Sequence, residues 1–267
     1  MKQFKSLDEQ IDYLHGSKNI EFQDRGIAKK ILLNCNYYNL ISCSKIKFAT
    51  NIKNGNHVYN KQDFNEWNEY FLMDCKVSEH LMTKLIELER IINSRAAYYI
   101  GELIENRVLG NRDRNEIISI IQRAEVEKLP KYTGEETWKY ISKMTFGELK
   151  TLLFWLIDRR KNVYYQIISG YSHLRHANTK NRLNDIVQLR NFIFHFTPLN
   201  IYLAYSYRYD GSLDNTYRKE TIDFIYSLSP DPDPDNDPDN EYIKHSIAEI
   251  IECSNRFIKI KNSQPNS

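Results

Sequence analysis

Apolar residues recur every three or four positions along most of this chain, which is the spacing that lines one face of an α-helix. The longest such stretch covers residues 63–108 and ends before Gly110. A break is expected within it near residues 75–78, because Ser78 could cap a second helix. Convincing alternation of apolar and polar residues, which is typical of a half-buried strand, is not found. The sequence therefore predicts an all-α protein.

Start and stop signals mark further helices. Ser6-Leu-Asp-Glu9 and Thr145-Phe-Gly-Glu148 fit capping boxes, in which the two polar side chains satisfy backbone N–H groups at a helix start. Gly16 is predicted to stop the first helix, and Pro198 to stop a helix over residues 179–196 that Thr179 caps. The stretch 36–48 is compatible with either helix or loop. Other helices are expected over about residues 24–34, 113–124, 162–169, 217–226 and 241–258, the last docking on the body through Ile243, Ile247, Ile250 and Ile251.

Two polar segments interrupt this pattern. Residues 51–61 contain an Asn-Gly pair and are predicted to form a surface loop. Residues 229–240 alternate proline with aspartate, and proline lacks a backbone donor while the aspartates repel one another, so an exposed acidic loop is expected. The predicted organisation is an N-terminal helical subdomain over residues 1–60, a main helical domain over 61–228, the acidic loop over 229–240, and a C-terminal helix and tail over 241–267.

Charge and composition narrow the class of protein. The chain of 267 residues has a net charge of +2, and removing the acidic segment leaves a basic body, which is typical of nucleic-acid binders but also of many other proteins. No run of about 18 apolar residues and no signal peptide is found, so a cytoplasmic protein without membrane contact is expected. The four cysteines lack C-x-x-C spacing, so neither a zinc ribbon nor a thioredoxin-type motif is expected. No metal or cofactor is predicted.

One segment carries residue types that suit RNA cleavage without a metal. Four residues separate Arg190 from His195, and Asn191 follows the arginine. RNA is cut when a base helps a ribose 2′-OH attack the neighbouring phosphate, and histidine titrates in the right range for the proton transfers. Arginine stays charged, and its planar fork matches phosphate oxygens. In this interpretation His195 is the general base or acid, Arg190 stabilises the phosphorane, and Asn191 holds the imidazole or the phosphate.

Helix geometry leaves several arrangements of this motif open. Asn191 and His195 share a face of an ideal helix, whereas Arg190 and His195 lie about 140° apart. The arginine stem could bridge part of the gap, the helix could end near His195 ahead of Pro198, or two such helices could build the site across a dimer. Spacing alone favours a structural interpretation, in which Arg190 pairs with an acidic neighbour and His195 caps its helix, because about one such pair is expected by chance.

Other side chains could support the motif or contact RNA. Tyr37 and Tyr38 could stack on unpaired bases, although core packing is expected for at least one of them. Glu89 and Arg90 could orient the motif from a facing helix or form an intramolecular ion pair. Four basic residues could contact the RNA backbone or could simply form a solvated basic face. They are Arg175, His176, Lys180 and Arg182.

Four blocks of sequence, in order, resemble the bacterial abortive-infection family of the AbiD/AbiF type. LDEQIDYL and AKKILLNCNYYNLISCSKIKF resemble the family's opening helices and its N-Y-Y-x-L signature, which falls at residues 36–40. LIELERIINSRAAYYI, at residues 85–100, resembles its L-E-R-I helix. TWKYISKMTFGELKTLLFWL, at 137–156, and LRNFIFHFTPLN, at 189–200, resemble its W…F-G-x-L block and its L-R-N-x-x-x-H segment. Together the blocks cover roughly residues 6–200, which makes them more specific than any one block.

The resemblance implies a HEPN fold, a helical bundle in which a helix with R-x4-6-H carries ribonuclease chemistry. It implies that protomers pair so that two such helices face one another, and that the protein acts in phage defence or as a toxin, held in check in some relatives by a small RNA antitoxin. By position, Arg190, Asn191 and His195 inherit the motif. Phe196 replaces a second histidine that is frequent in the family, and residues 198–200 replace its R-L-W-N tail.

The sequence thus predicts a metal-independent endoribonuclease without a cofactor, which cleaves RNA as a homodimer or higher homo-oligomer. One alternative is an RNA-binding module that holds a small structured antitoxin RNA without cleaving it. A second alternative is a helical scaffold with no RNA chemistry.

Overall fold

The structure is a computed structural model that describes residues 5–53, 55–106, 109–124, 136–175, 178–205, 215–228 and 238–263. Within them the chain is mainly helical, so the predicted class is confirmed. The chain divides into two compact units. Unit 1 comprises Met1–Met82 and Asn191–Ser267, and unit 2 comprises Thr83–Arg190. These bounds differ from those of the segments predicted from the sequence. Residues 229–237 of the predicted acidic loop lie outside the described residues.

Helices alternate with a few short strands along the chain. In chain order, the elements are α1 (Leu7–Lys18), β1 (Ile20–Glu21), α2 (Arg25–Cys35), α3 (Tyr37–Phe48), β2 (Ala49–Lys53), β3 (Asn56–Tyr59), β4 (Gln62–Asp63), α4 (Phe64–Glu105), α5 (Asn111–Arg123), α6 (Thr137–Ile141), α7 (Phe146–Arg159), α8 (Lys161–Ile167), a 3-10 turn (Ser172–Arg175), α9 (Thr179–Phe194), α10 (Leu199–Ala204), α11 (Thr216–Ser227) and α12 (Pro238–Asn262). None of these helices has both the length and the apolar character that crossing a bilayer needs, within the residues described.

Local signals in the sequence set most helix starts. Both predicted capping boxes are confirmed: Ser6 and Glu9 cap α1, and Thr145 and Glu148 cap α7. Helix α1 passes Gly16, its predicted end, and stops at Asn19, which adopts the left-handed conformation with φ of 59°. The stretch 36–48, for which the sequence left two options, is helical from Tyr37 onward, because the side chain of Asn36 caps α3.

Two small sheets interrupt the helices, so the expectation that strands are absent is wrong. Strand β1 pairs in parallel with β4, and β2 pairs antiparallel with β3. The second sheet occupies most of residues 51–61, which were predicted to be a loop. An Asn-Gly pair favours the tight turn of a hairpin, and Gly55 between the two strands has a φ of 75°, which glycine adopts without strain.

Helix α4 runs unbroken over 42 residues, so the predicted break near residues 75–78 is also wrong. Val77 and Leu81 are fully buried and continue the apolar stripe past the expected break. No proline lies in this stretch to end the helix. Ser78 is therefore an interior residue of the helix and not a cap.

The core of unit 1 joins the N-terminal helices to the start of α4 and to the C-terminal helix. Fully buried side chains such as Leu40, Ile46, Trp67 and Phe257 share one apolar cluster. Helix α12 packs against α3 and α10, so the predicted docking of the last helix is confirmed, over a longer span than residues 241–258. Unit 2 has its own buried apolar residues on α4, α7 and α9, including Leu88, Leu153 and Ile186.

Candidate functional site

Helix α9 carries the predicted catalytic motif, and the division between the two units falls inside it. Arg190 belongs to unit 2, whereas Asn191 and His195 belong to unit 1. The helix ends at Phe194, which matches the arrangement in which it stops near His195 ahead of Pro198.

Arg190 is held by Glu89 of α4 within unit 2. Its Nε donates to Glu89 Oε2 at 3.3 Å, and the two side chains are only 24% and 16% exposed. Glu89 Oε1 accepts a hydrogen bond at 3.0 Å from the backbone N–H of Phe146, the first residue of α7. One carboxylate thus fixes the guanidinium and satisfies a backbone donor that a helix start leaves without an intrahelical partner. The pairing of Arg190 with an acidic neighbour is confirmed.

Arg90, the other predicted supporting residue, has a different role. Its guanidinium lies 3.9 Å from Glu87 on the same helix, and both side chains are exposed. Exposed pairs of this kind contribute little to stability. Glu89 is therefore the member of the predicted pair that contacts the motif.

His195 occupies the cap position at the C-terminal end of α9. The backbone N–H of Phe196 donates to Ile193 O at 3.0 Å, and that of Thr197 donates to Phe192 O at 2.9 Å. These two bonds, with Phe196 in the left-handed region at φ of 53°, form a Schellman motif. The helix therefore ends in a defined turn immediately after His195.

Asn191 and His195 lie together on the surface of unit 1. Both residues are exposed, and the backbone N–H of His195 donates to Asn191 O at 3.0 Å. Their four-residue spacing places them on one side of the helix end. None of the described residues forms a hydrogen bond with the imidazole of His195, so no polar contact of this side chain stabilises the helix end among them.

A buried carboxylate anchors the segment that follows His195. Asp74 of α4 accepts hydrogen bonds from the backbone N–H groups of Leu199 at 2.7 Å and Asn200 at 3.0 Å, which open α10. The side chain of Asn200 donates to Cys43 O at 2.8 Å. Burial raises the pKa of Asp74 to about 6, against the effect of the two donors. Pro198, predicted only as a stop, thus precedes a further helix whose start is fixed by Asp74.

Sequence reasoning missed Asp74, although one signal was present. Asp74 stands between Phe71 and Val77 at the spacing of the buried face of α4. A carboxylate on an apolar face must find partners, because burial without them is costly. An acidic residue in the apolar stripe of a long helix is therefore the signal that could have identified this anchor.

The other predicted RNA contacts divide between exposed and engaged side chains. Tyr38 is exposed, whereas Tyr37 packs against the core of unit 1 and burial raises its pKa to about 12, so the expectation that one of the two packs inward is confirmed. In unit 2, Lys180 Nζ lies 2.6 Å from Asp158 Oδ2, and Arg182 Nη1 donates to His173 O at 3.2 Å. Arg175 is exposed, and His176 lies outside the described residues.

Arg182 has a structural contact, because its guanidinium binds the backbone of His173, whereas the exposed pair of Lys180 with Asp158 contributes little to stability. Arg182 also lies 2.6 Å from His173 Nδ1, which ties α9 to the preceding 3-10 turn. In the parts of the chain that are described, no three His, Cys, Asp or Glu side chains are grouped so that they could hold a metal ion.

A cavity of about 480 Å³ opens in unit 1 beside the turn that contains His195. Phe196, Thr197 and Pro198 line one part of it, and asparagines at the junction of α2 and α3 line another. The side chain of Asn39 donates to Phe196 O at 3.0 Å, which links this junction to the turn. The N-Y-Y-x-L stretch and the R-x4-H segment therefore meet at one cavity.

The sequence was compared with protein-family models and with curated proteins, and the structure with solved structures. None of the three comparisons finds a match.

Proposed function

We propose that this protein is a metal-independent endoribonuclease of the HEPN type that acts as a toxin in abortive infection. The observation that carries the proposal is the exposed His195 at the end of α9, one turn after Asn191 and without a structural hydrogen bond of its imidazole among the described residues. The order of the four sequence blocks, which ends at this segment, supports the same function.

The proposed reaction uses the ribose 2′-OH of the RNA as the nucleophile. The imidazole of His195 removes the 2′-OH proton, the oxygen attacks the adjacent phosphorus, and the P–O5′ bond breaks. The products are a 2′,3′-cyclic phosphate and a 5′-OH end. Arg190 stabilises the negative charge of the phosphorane, and Glu89 orients its guanidinium.

The leaving oxygen needs a proton from an acid. In a homodimer with two facing copies of α9, His195 of the second protomer supplies it, so one imidazole acts as base and the other as acid. The dimer is part of the proposal, since base and acid must carry opposite protonation states in the same turnover.

Expression of wild type and His195→Ala side by side tests the proposal. We expect wild type to arrest growth and to yield RNA fragments with 2′,3′-cyclic phosphate ends, and His195→Ala to do neither. His245→Ala is the matched control, because His245 is an exposed histidine on α12 of the same unit. Full cleavage by His195→Ala would refute the proposal, and loss of wild-type activity with a chelator would indicate a metal site instead.

A second candidate function is RNA binding without cleavage, and one surface of unit 1 favours it. Lys45 and Lys261 lie over the ring of Tyr205, with 5.3 and 4.4 Å between ammonium and ring centroid. The pKa of His57 is lowered to about 4, first by burial and then by Lys45, Lys18 and Lys261. Such a concentration of positive charge beside aromatic rings suits an RNA backbone.

Phenol extraction of the purified protein tests this second function. A bound RNA of defined length, lost when Lys45 and Lys261 are both replaced by glutamine, would support it. Finding RNA would be compatible with cleavage as well, so the His195→Ala experiment decides between the two functions.

A further inference from the structure

Phe196 is a large apolar residue in a position that the fold would fill better with glycine. It adopts φ of 53° at the end of α9, and its side chain is 81% exposed. The left-handed conformation disfavours residues other than glycine, and a ring that stays in solvent regains little by burial. Backbone strain that packing does not explain is typical of functional positions.

The cavity beside this ring combines amide groups with apolar walls. Asn34 and Asn36 contribute the amides, and Phe71 and Leu72 contribute apolar surface. Among the described residues, the side chain of Asn34 has no hydrogen-bond partner, and Asn36 uses only its Oδ1, which caps α3. Amide N–H groups therefore remain available to a ligand at the edge of the cavity.

The dimensions and the charge of the cavity restrict its occupant. Its volume of about 480 Å³ falls within the range of roughly 300–1,000 Å³ that is typical of small-molecule sites. The carboxylates of Asp74 and Glu79 also line it, so an anionic group is disfavoured inside. A nucleobase fits this description, since it is neutral and flat and carries donors and acceptors along its edge.

We infer that the cavity receives one unpaired base of the RNA, stacked on Phe196 and read by Asn34, and that it thereby selects the cleavage position. This inference rests on the proposed nuclease function. Phe196 directly follows His195 in the sequence, and in this proposal a base stacked on its ring places the attached ribose and phosphate beside the imidazole. The carboxylates of Asp74 and Glu79 disfavour the phosphate inside the cavity, so it stays at the surface.

Phe196→Gly is the decisive variant, because it removes the ring and keeps the turn in its preferred conformation. We expect it to melt no lower than wild type, to cleave RNA about tenfold to a hundredfold more slowly, and to lose the base preference next to the cut. Phe196→Trp retains a stacking surface and should cleave within a few-fold of wild type. Asn34→Ala should change which base is preferred and leave the fold intact, since Asn34 is exposed.

A binding measurement separates this inference from the nuclease proposal. Short single-stranded homopolymers of adenosine, cytidine and uridine are titrated against His195→Ala and against His195→Ala with Phe196→Gly. We expect the second protein to bind the preferred homopolymer at least about tenfold more weakly. Equal binding, or an unchanged cleavage pattern in active Phe196→Gly, would overturn the base site. Weaker binding in the absence of any cleavage by wild type would uphold the site and refute only the nuclease.

Discussion

Replacing Glu89 by glutamine should destabilise unit 2, because it removes the negative charge that pairs with the guanidinium of Arg190. Glu89 has two partners, Arg190 Nε at 3.3 Å and the backbone N–H of Phe146 at 3.0 Å. A glutamine oxygen can still accept from Phe146, but it provides no negative charge for Arg190. Alanine removes both interactions, so the two substitutions separate the ion pair from the helix cap.

The burial of the pair sets the expected magnitude. Removing one partner of a fully buried ion pair costs about 3–5 kcal/mol, whereas an exposed pair contributes about 0–1 kcal/mol. Glu89 and Arg190 are 16% and 24% exposed, which places them between these limits. We expect Glu89→Gln to lower the free energy of unfolding by about 1–3 kcal/mol, and Glu89→Ala to lower it by about 1–3 kcal/mol more, because the Phe146 N–H then lacks its acceptor.

Urea unfolding of Glu89→Gln, Arg190→Gln and the double variant measures the pair directly. If the ion pair exists, the two single losses of unfolding free energy, added together, should exceed the loss in the double variant by more than about 0.5 kcal/mol. Glu87→Gln is the matched control, because its pairing with Arg90 is exposed and should change stability by no more than about 0.5 kcal/mol. Additive effects of Glu89→Gln and Arg190→Gln would refute the reasoning.

Three further predictions concern the end of α9 and its anchor. The pKa of Asp74 is about 6 in the folded protein and 3.8 ordinarily, so the folded state binds this proton more tightly. The stabilisation from this bound proton should be fully present below pH 3.8 and should be lost as the pH rises through about 6. The free energy of unfolding of wild type relative to Asp74→Asn should therefore fall by about 3 kcal/mol across that range, as measured by urea unfolding. A difference that stays flat with pH would contradict this. Phe196→Gly should raise the free energy of unfolding by about 1 kcal/mol, and Phe196→Ala, which keeps the left-handed strain, should not. His195→Ala should unfold within about 0.5 kcal/mol of wild type, and a larger loss by calorimetry would reveal a structural role for the imidazole.

Several features that depend on neighbouring residues were predictable from the sequence, and two were not. The capping boxes at Ser6 and Thr145 need only four consecutive residues, and the apolar stripe of α4 needs only helical spacing. The β2–β3 hairpin was missed because its polar flanks outweighed the Asn-Gly signal. The break near Ser78 was wrong because a possible cap is a weak signal beside a continuous buried face.

Features that depend on partners distant in the sequence were not predictable in the same way. Residue types identified Arg190 and His195 as candidates, but spacing could not show that Glu89 binds the arginine or that Phe196 takes a left-handed conformation. A Schellman motif usually ends in glycine, so phenylalanine at this position hid the turn from the sequence pattern. The role of Asp74 was not predictable because the backbone N–H groups that bind its carboxylate lie more than a hundred residues later in the chain.

The two ends of the motif on α9 have different surroundings. On a continuous helix, a five-residue spacing would hold Arg190 and His195 about 140° apart. His195 stands at the C-cap, and its backbone N–H still donates to Asn191 O, whereas Glu89 holds the guanidinium of Arg190. Within unit 2, Glu89 holds Arg190, and within unit 1, Asp74 fixes the start of α10, four residues after His195.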